Sequence, residues 1–284
     1  MSHFASGDEL GMVTMLKAIT REVSRLIERC ELTYVQRECV DYETAVRQQA
    51  DYRALLAGLG VEVFNLETSD ALPDCCFVAD TAVVLDELAV IPNMGAPSRR
   101  GETRAVEEIL KTQREIFRIE PPATLDGGDV VCLGKQIFVG HSSRTNLEGI
   151  EALARIVRPY GYSVEPVGVE GSLHLTTGCS ALDDETMLVN PCWIDAAPFA
   201  RFRVYNVPEQ EPWAANALRI GETLFVEAHA PRTLELIGRH YADARTLDIS
   251  EFRKAEGSLS CLSIIFRGMG ESEANQNKEE THAE

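Results

Sequence analysis

The apolar positions of this chain fall in short runs, each followed by a small-residue loop and then by residues at helical spacing. Three segments share this plan: Ala89 to Leu110, Ile137 to Val157 and Leu224 to Tyr241. Each opens on a strand-like run and carries an arginine where the loop ends: Arg99, Arg144 and Arg232. Behind the first loop Val106, Ile109 and Leu110 fall on one helical face, and behind the second Ile150, Leu153, Ala154 and Val157 do. Ser98 and Ser143 stand where helix caps are wanted. A fourth, looser copy, Met187 to Phe202, keeps the strand, the loop and Arg201 but has no evident helix. An opening copy combines a helix over Tyr42–Leu59, with Ala45, Gln49, Tyr52 and Leu56 on one face, and a strand over Val61–Phe64. Five units of roughly 40–50 residues predict one repeated α/β domain, although unrelated strand–helix units could produce a similar pattern. A single unit cannot bury its own sheet face, whereas five closed around an axis bury them all.

Length alone, 284 residues, suggests about two domains; the repeat argues for one. The predicted division is an N-terminal extension over 1–13, a single domain over 14–267, and a disordered acidic tail over 268–284. The formal net charge is −18. Five Glu and one Lys in 270–284 supply −4 of this, which leaves −14 for the rest. Such a field repels nucleic acid and anionic membrane and attracts a small cation. Met1–Thr20 has no apolar segment of signal-peptide type, and no run approaches the ~18 apolar residues of a membrane-spanning helix. The eight cysteines are scattered, without a C-x-x-C pair, so a reduced, cytoplasmic protein without a disulfide framework or zinc site is expected. Adjacent Cys75 and Cys76 would point oppositely on a strand.

Cys261 carries the most chemical promise. It follows a Gly/Ser-rich turn and precedes the apolar run Leu262–Phe266, a junction where a thiol is both held and reachable. Upstream, Asp74 and Asp80 bracket Cys75–Ala79. Asp126 enters a tight Gly127-Gly128 turn, followed by Asp129 and a strand over Val130–Leu133. His174 lies in Ser172–Gly178, which alternates like a short strand, and Asn216 precedes another strand. Singly, each has an ordinary account: turn residues for Asp126 and Asp129, a structural histidine for His174, a backbone-bonding amide for Asn216. Gly127-Gly128 is no phosphate loop, because no Lys-Ser/Thr follows. No His/Cys/Asp cluster has metal-ligand spacing.

In succession, these motifs resemble the dimethylarginine dimethylaminohydrolase family of the guanidine-modifying, or pentein, superfamily. The resemblance rests on Leu72-Pro73-Asp74-x-x-Phe77-Val78-x-Asp80, Gly95–Glu102, Ala123–Val130, Arg144-Thr145-Asn146, Leu173-His174-Leu175, Ala214-Ala215-Asn216 and the Cys261 segment, and covers about residues 14–267. It implies a five-bladed α/β-propeller of ββαβ-type units with pseudo-fivefold symmetry. It also implies roles. Cys261 would be the nucleophile, His174 the general acid and base, and Asp126 the carboxylate that orients the histidine and touches the guanidinium. Asp80 would grip the guanidinium nitrogens, Arg99 and Arg144 the substrate α-carboxylate, and Asp74 with a mobile segment near Leu32 the α-amino end. The implied reaction hydrolyses an Nω-methylated arginine to citrulline and a methylamine through a covalent thiouronium, with no cofactor and no metal. The implied partner is a small cationic guanidine, and a homodimer is left open.

The physics agrees with this assignment. An alkylguanidinium stays charged near neutral pH, so carboxylates can hold it by its fork. Its carbon becomes open to attack once it is held protonated and desolvated beside a thiolate. Two segments depart from the family pattern. Ala79 stands where an acidic residue usually precedes the second aspartate, and Ile91-Pro92-Asn93-Met94 replaces the usual Thr-Arg-Pro. If the side chain of residue 79 approaches the ligand, one missing carboxylate weakens the hold on methylated arginines. Two rivals stay open: another guanidine enzyme, such as an arginine deiminase or an amidinotransferase, and a non-catalytic pentein-fold binding protein.

Overall fold

Five three-stranded sheets carry the repeated plan. A computed structural model of the protein describes residues 15–268; the predicted N-terminal extension and all but the first residue of the predicted tail lie outside them. The first unit holds strand β1 (Leu16–Arg21), helix α1 (Tyr42–Gly58) and β2 (Glu62–Leu66). The second holds β3 (Val83–Val84), β4 (Leu88–Ile91), α2 (Thr103–Leu110) and β5 (Glu115–Arg118). The third holds β6 (Val130–Leu133), β7 (Gln136–His141), α3 (Leu147–Val157) and β8 (Ser163–Gly168). A one-turn helix α4 (Leu175–Gly178) leads into the fourth, β9 (Cys179–Ala181), β10 (Thr186–Val189) and β11 (Arg203–Asn206). The fifth holds β12 (Leu218–Ile220), β13 (Thr223–Glu227), α5 (Pro231–Gly238) and β14 (Ala244–Leu247). The chain then passes through α6 (Ser250–Lys254) to β15 (Ile264–Arg267).

In every sheet the middle strand pairs antiparallel with one neighbour and parallel with the other. The parallel partner lies beyond the connecting segment, as a crossover requires. The first sheet takes its antiparallel strand from the far end of the chain: Ile19 stands opposite Ile264 and Leu16 opposite Arg267. Hydropathy alone does not reveal that pairing, because nothing local joins β1 to β15. In the fourth unit the connection holds only a 3-10 turn, Ala197–Phe199, in agreement with the missing helical stripe.

Each of the five buried clusters mixes residues of two units. Ile19 and Ile264 of the first meet Ile91 and Val106 of the second. Val90 of the second meets Val139 and Leu153 of the third. Phe138 of the third meets Met187 and Phe199 of the fourth, the two rings 4.8 Å apart and edge-on. Leu188 of the fourth meets Leu224 and Ile237 of the fifth, and Phe225 of the fifth meets Ala18 and Tyr52 of the first. No sheet face is covered by its own unit alone.

Several local expectations are corrected. Ser143 does not cap α3; the helix starts later, and the Asn146 side chain accepts from Gly149 N at 2.8 Å. Ser98 lies inside a 3-10 turn, Pro97–Glu102. The segment around His174 is not a strand: His174 is extended, but α4 begins immediately after it. Cys75 and Cys76 lie in turns, and both are fully buried.

Candidate active site

Cys261 sits in a 3-10 turn, Leu259–Leu262, directly ahead of β15. Asn216 fastens this turn. Its amide oxygen accepts from Ser260 N at 3.0 Å, and its amide nitrogen donates to Ser260 Oγ at 2.6 Å and to Thr176 O at 2.7 Å. The thiol turn is thus tied to the turn that follows His174. Asp80 lies in another 3-10 turn, Val78–Thr81, and Asp126 stands just before a third, Gly127–Asp129. A Cβ on Gly128 would lie 2.4 Å from Asp80 Oδ1 and 2.9 Å from His174 Nδ1. Only glycine lets these two side chains close over the turn.

The predicted groups are brought together. His174 Nε2 is 3.0 Å from Asp126 Oδ2, and His174 Nδ1 is 3.6 Å from Asp80 Oδ1. Cys261, His174, Asp80, Asp74, Arg99 and Arg144 line one narrow cavity of about 10 Å³. Asp126 stands behind His174, fully buried, its other oxygen accepting from Gly95 N at 2.9 Å. Leu32 is not on the cavity wall but packs, half-buried, against the core around Tyr52; its neighbour Glu31 is on the wall.

The two arginines differ. Arg99 Nη1 donates to Asp80 Oδ2 at 2.7 Å, Nη2 to Glu102 Oε2 at 2.8 Å and to Phe77 O at 3.2 Å, and Asp74 lies 4.0 Å from Nε. Its fork is spent largely on carboxylates. Arg144 Nη1 is 3.8 Å from Asp126 Oδ2 and buried without a hydrogen-bond partner, as is Asp80 Oδ1. Buried polar atoms without partners are rare, and here a donor and an acceptor of that kind belong to residues of one cavity wall.

The charges follow from burial and neighbours. Burial opposes charge on His174, but Asp80 and then the bond to Asp126 outweigh it and raise the imidazole to about 9. Burial, reinforced by Asp80, pushes the Cys261 thiol up to about 12. Without substrate the site therefore holds an imidazolium between carboxylates and a neutral thiol. A guanidinium that takes over the carboxylates releases His174 from the charges that keep it protonated, and its positive charge beside Cys261 favours the thiolate.

A family pattern described as arginine deiminase matches residues 18–225. The N(G),N(G)-dimethylarginine dimethylaminohydrolase of Streptomyces coelicolor is 37% identical over 88% of this chain and 97% of its own. That of Pseudomonas aeruginosa is 34% identical over 80% of this chain and 90% of its own. The chain belongs to the dimethylarginine dimethylaminohydrolase family. A solved structure of the Pseudomonas aeruginosa family member, a cysteine-to-serine mutant complexed with citrulline, superposes with a TM-score of 0.84 at 32% identity and covers 89% of this chain and 99% of that one. The N-terminal domain of ArgZ, a cyanobacterial arginine dihydrolase, shares the fold at 17% identity, with a TM-score of 0.77 over 89% of this chain and 97% of that one.

In this member of the dimethylarginine dimethylaminohydrolase family, further residues to which the motifs assign no role surround the site. Asp129 is a fully buried hub: Ser142 Oγ and Thr145 Oγ1 each donate to it at 2.6 Å, and Leu175 N does at 2.9 Å. It joins the loops that carry Arg144 and His174, and burial raises it to about 6. Glu102 is the buried counter-ion of Arg99, three residues along the chain. Phe77, Glu31 and Glu256 line the cavity. Asp129 and Glu102 stood inside quoted motifs; Glu256 and Glu31 carried no local signal. Ala79 is absent from the cavity wall. It lines a second cavity together with Gly127 and Gly128, so the expectation that its side chain approaches the ligand is corrected. Among the described residues, no group of three or more His, Cys, Asp or Glu is arranged to hold a metal, and no helix is long and apolar enough to cross a membrane.

Proposed function

We propose that this protein is a C–N hydrolase of linear amidines that converts asymmetric dimethylarginine or monomethylarginine to citrulline and a methylamine. The observation that carries the proposal is one closed cavity lined by a thiol, an imidazole flanked by two carboxylates, and a guanidinium with an unpartnered N–H. The relatives named for this reaction share its fold and a third of its sequence.

The substrate guanidinium docks against Asp80, whose Oδ1 waits for a donor, with Asp126 behind His174. Cys261 Sγ attacks the guanidinium carbon, and the thiol proton passes by way of His174 to the departing methylamine nitrogen. The C–N bond breaks and leaves a thiouronium cation on Cys261. His174 then deprotonates a water that adds to the same carbon. The C–S bond breaks, the thiol is restored, citrulline leaves, and the remaining proton goes to the free amine. Water is the sole co-reactant. Arg144, aided by Arg99, holds the α-carboxylate, while Asp74 and the segment at Glu31–Leu32 hold the α-amino end. The five clusters, which join units one to two, two to three, three to four, four to five and five to one, support closure around a pseudo-fivefold axis. Eight free cysteines suit a reducing, cytoplasmic setting.

The test is product analysis with asymmetric dimethylarginine, monomethylarginine and arginine. Citrulline with dimethylamine from the first supports the reading. Citrulline and ammonia from arginine alone would replace it with an arginine deiminase, the reading that the matched family pattern favours. No turnover of any of the three would leave an enzyme of another guanidine, such as an amidinotransferase, or a binding protein.

A further inference from the structure

The cavity that holds Cys261 is closed: the thiol residue is 5% exposed and His174 2%. Part of its wall belongs to the segment between Cys30 and Asp41, which has no regular structure and whose side chains from Glu31 to Cys39 are mostly exposed. Apolar packing does little to hold such a segment. Carboxylates hold its backbone instead. Glu31 N donates to both oxygens of Asp74 at 3.2 Å, and Ser98 Oγ donates to Glu31 Oε1 at 2.5 Å. Thr33 N and Tyr34 N donate to the two oxygens of Glu256 at 2.7 and 2.8 Å.

Glu256 is an unusual residue to find there. It is buried, it lines the cavity, and its φ of 63° is the one left-handed backbone among the described non-glycine residues. A left-handed glutamate is strained, and it persists only where the surroundings require it. The turn that carries it is rigid. Glu256 N donates to Arg253 O at 3.1 Å and Gly257 N to Phe252 O at 2.8 Å, and a Cβ on Gly257 would strike the Phe77 ring at 2.3 Å. Five residues after Glu256 comes Cys261. The segment over the cavity is therefore fastened to the element that carries the thiol, across more than two hundred positions of sequence.

We infer that Glu256 is a positioning residue: its carboxylate latches the Thr33–Tyr34 backbone over the thiol cavity, and substrate enters by breaking this latch and leaves it re-formed. Two charge-assisted bonds to adjacent amides fix the segment in one register, which an apolar contact at Leu32 alone would not do. The inference rests on the proposed hydrolysis for its kinetic consequence but not for its structural one.

Glu256→Gly tests it, because glycine accepts the left-handed backbone and only the carboxylate is lost. Alkylation of thiols by iodoacetamide is followed residue by residue by mass spectrometry, with fully buried Cys76 as the internal control. The expected result is about tenfold faster alkylation at Cys261 with Cys76 still protected, and a kcat/KM for asymmetric dimethylarginine about tenfold lower, mostly through KM. Alkylation of Cys261 at the native rate with Cys76 protected overturns the latch, whatever substrate the protein turns over. If Cys76 reacts as well, the variant has unfolded. Glu256→Gln, which keeps the length and one accepting oxygen, is then put through the same assay and judged by the same two results.

Discussion

Two cavities draw on the same few turns of the chain, and near neighbours in sequence divide between them. Asp80, His174 and Cys261 line one; Ala79, Thr176 and Ser260 line the other. The first, of about 10 Å³, gathers carboxylates, guanidinia, an imidazole and a thiol. The second, of about 250 Å³, is walled by Val83, Val130, Cys132, Thr176, Ser260, Ser263 and Ile264. A shift of one or two residues in three short segments separates a reactive surface from an inert one. Short 3-10 turns make this sorting possible, because successive side chains leave such a turn in different directions. The chemistry is thus a property of which side of the turn a residue faces, and not only of its place in a motif.

The sharpest way to break the comparison is to remove the thiol from the reactive side. Cys261→Ser is expected to lower kcat by about 10⁴-fold or more while the fold and ligand binding remain. Steady-state turnover with asymmetric dimethylarginine checks this, and a variant that keeps more than about a hundredth of the native rate would end the covalent mechanism.

Arg99→Ala comes next. It leaves Asp80 and Glu102 buried without their hydrogen-bonded cation, and Asp74 without the cation beside it. Stripping the partner from a buried charge costs about 3–5 kcal/mol, which in a chain of this size lowers the melting temperature by roughly 10 °C or more. Calorimetry decides the matter; a fall of less than about 3 °C would mean that the fork does not hold these carboxylates in place.

Arg144→Ala separates the two arginines, which occupy equivalent places in the second and third units. Its Nη1 makes no hydrogen bond and stands 3.8 Å from Asp126, so the loss of stability should be smaller than that of Arg99→Ala, which breaks hydrogen-bonded ion pairs. KM should rise about tenfold for substrates with an α-carboxylate, about 1.4 kcal/mol, and stay unchanged for a decarboxylated guanidine. Equal losses on both kinds of substrate would assign Arg144 a structural role.

That difference also marks what can be read from sequence. The repeat placed an arginine at the same point of four units, and hydropathy located the helices and strands around it. It does not distinguish Arg99 and Arg144, which are buried at the site, from Arg201 and Arg232, which are exposed. Facing is decided by packing between units, a long-range property with no local period. The same limit hid β15 beside β1, the hub at Asp129 and the latch at Glu256, each defined by partners distant in sequence. The Cys261, His174, Asp126 and Asp80 set was legible because ordered motifs carry it. At the Leu32 segment the structure puts Glu31, not Leu32, on the cavity wall, and the hold on that segment comes from backbone amides that any sequence supplies.

The smallest effect is expected on the inert side. From sequence, Ala79 reads as a missing carboxylate at the guanidinium, so that Ala79→Glu would tighten methylarginine binding. In the structure Ala79 is half-exposed, sits one residue before Asp80 in the same 3-10 turn, and faces the second cavity. A glutamate there enters the cavity lined by Val83, Val130 and Cys132, whose wall does not include Cys261. It adds a negative charge in a cavity that shares none of the groups lining the thiol cavity. KM for asymmetric dimethylarginine should therefore move by less than about twofold and kcat not at all, since neither group that bonds the reacting atoms is displaced. Michaelis parameters for Ala79→Glu beside the native protein give the answer. A KM several times lower would show that residue 79 reaches the guanidinium after all, and that the two cavities exchange side chains when substrate binds.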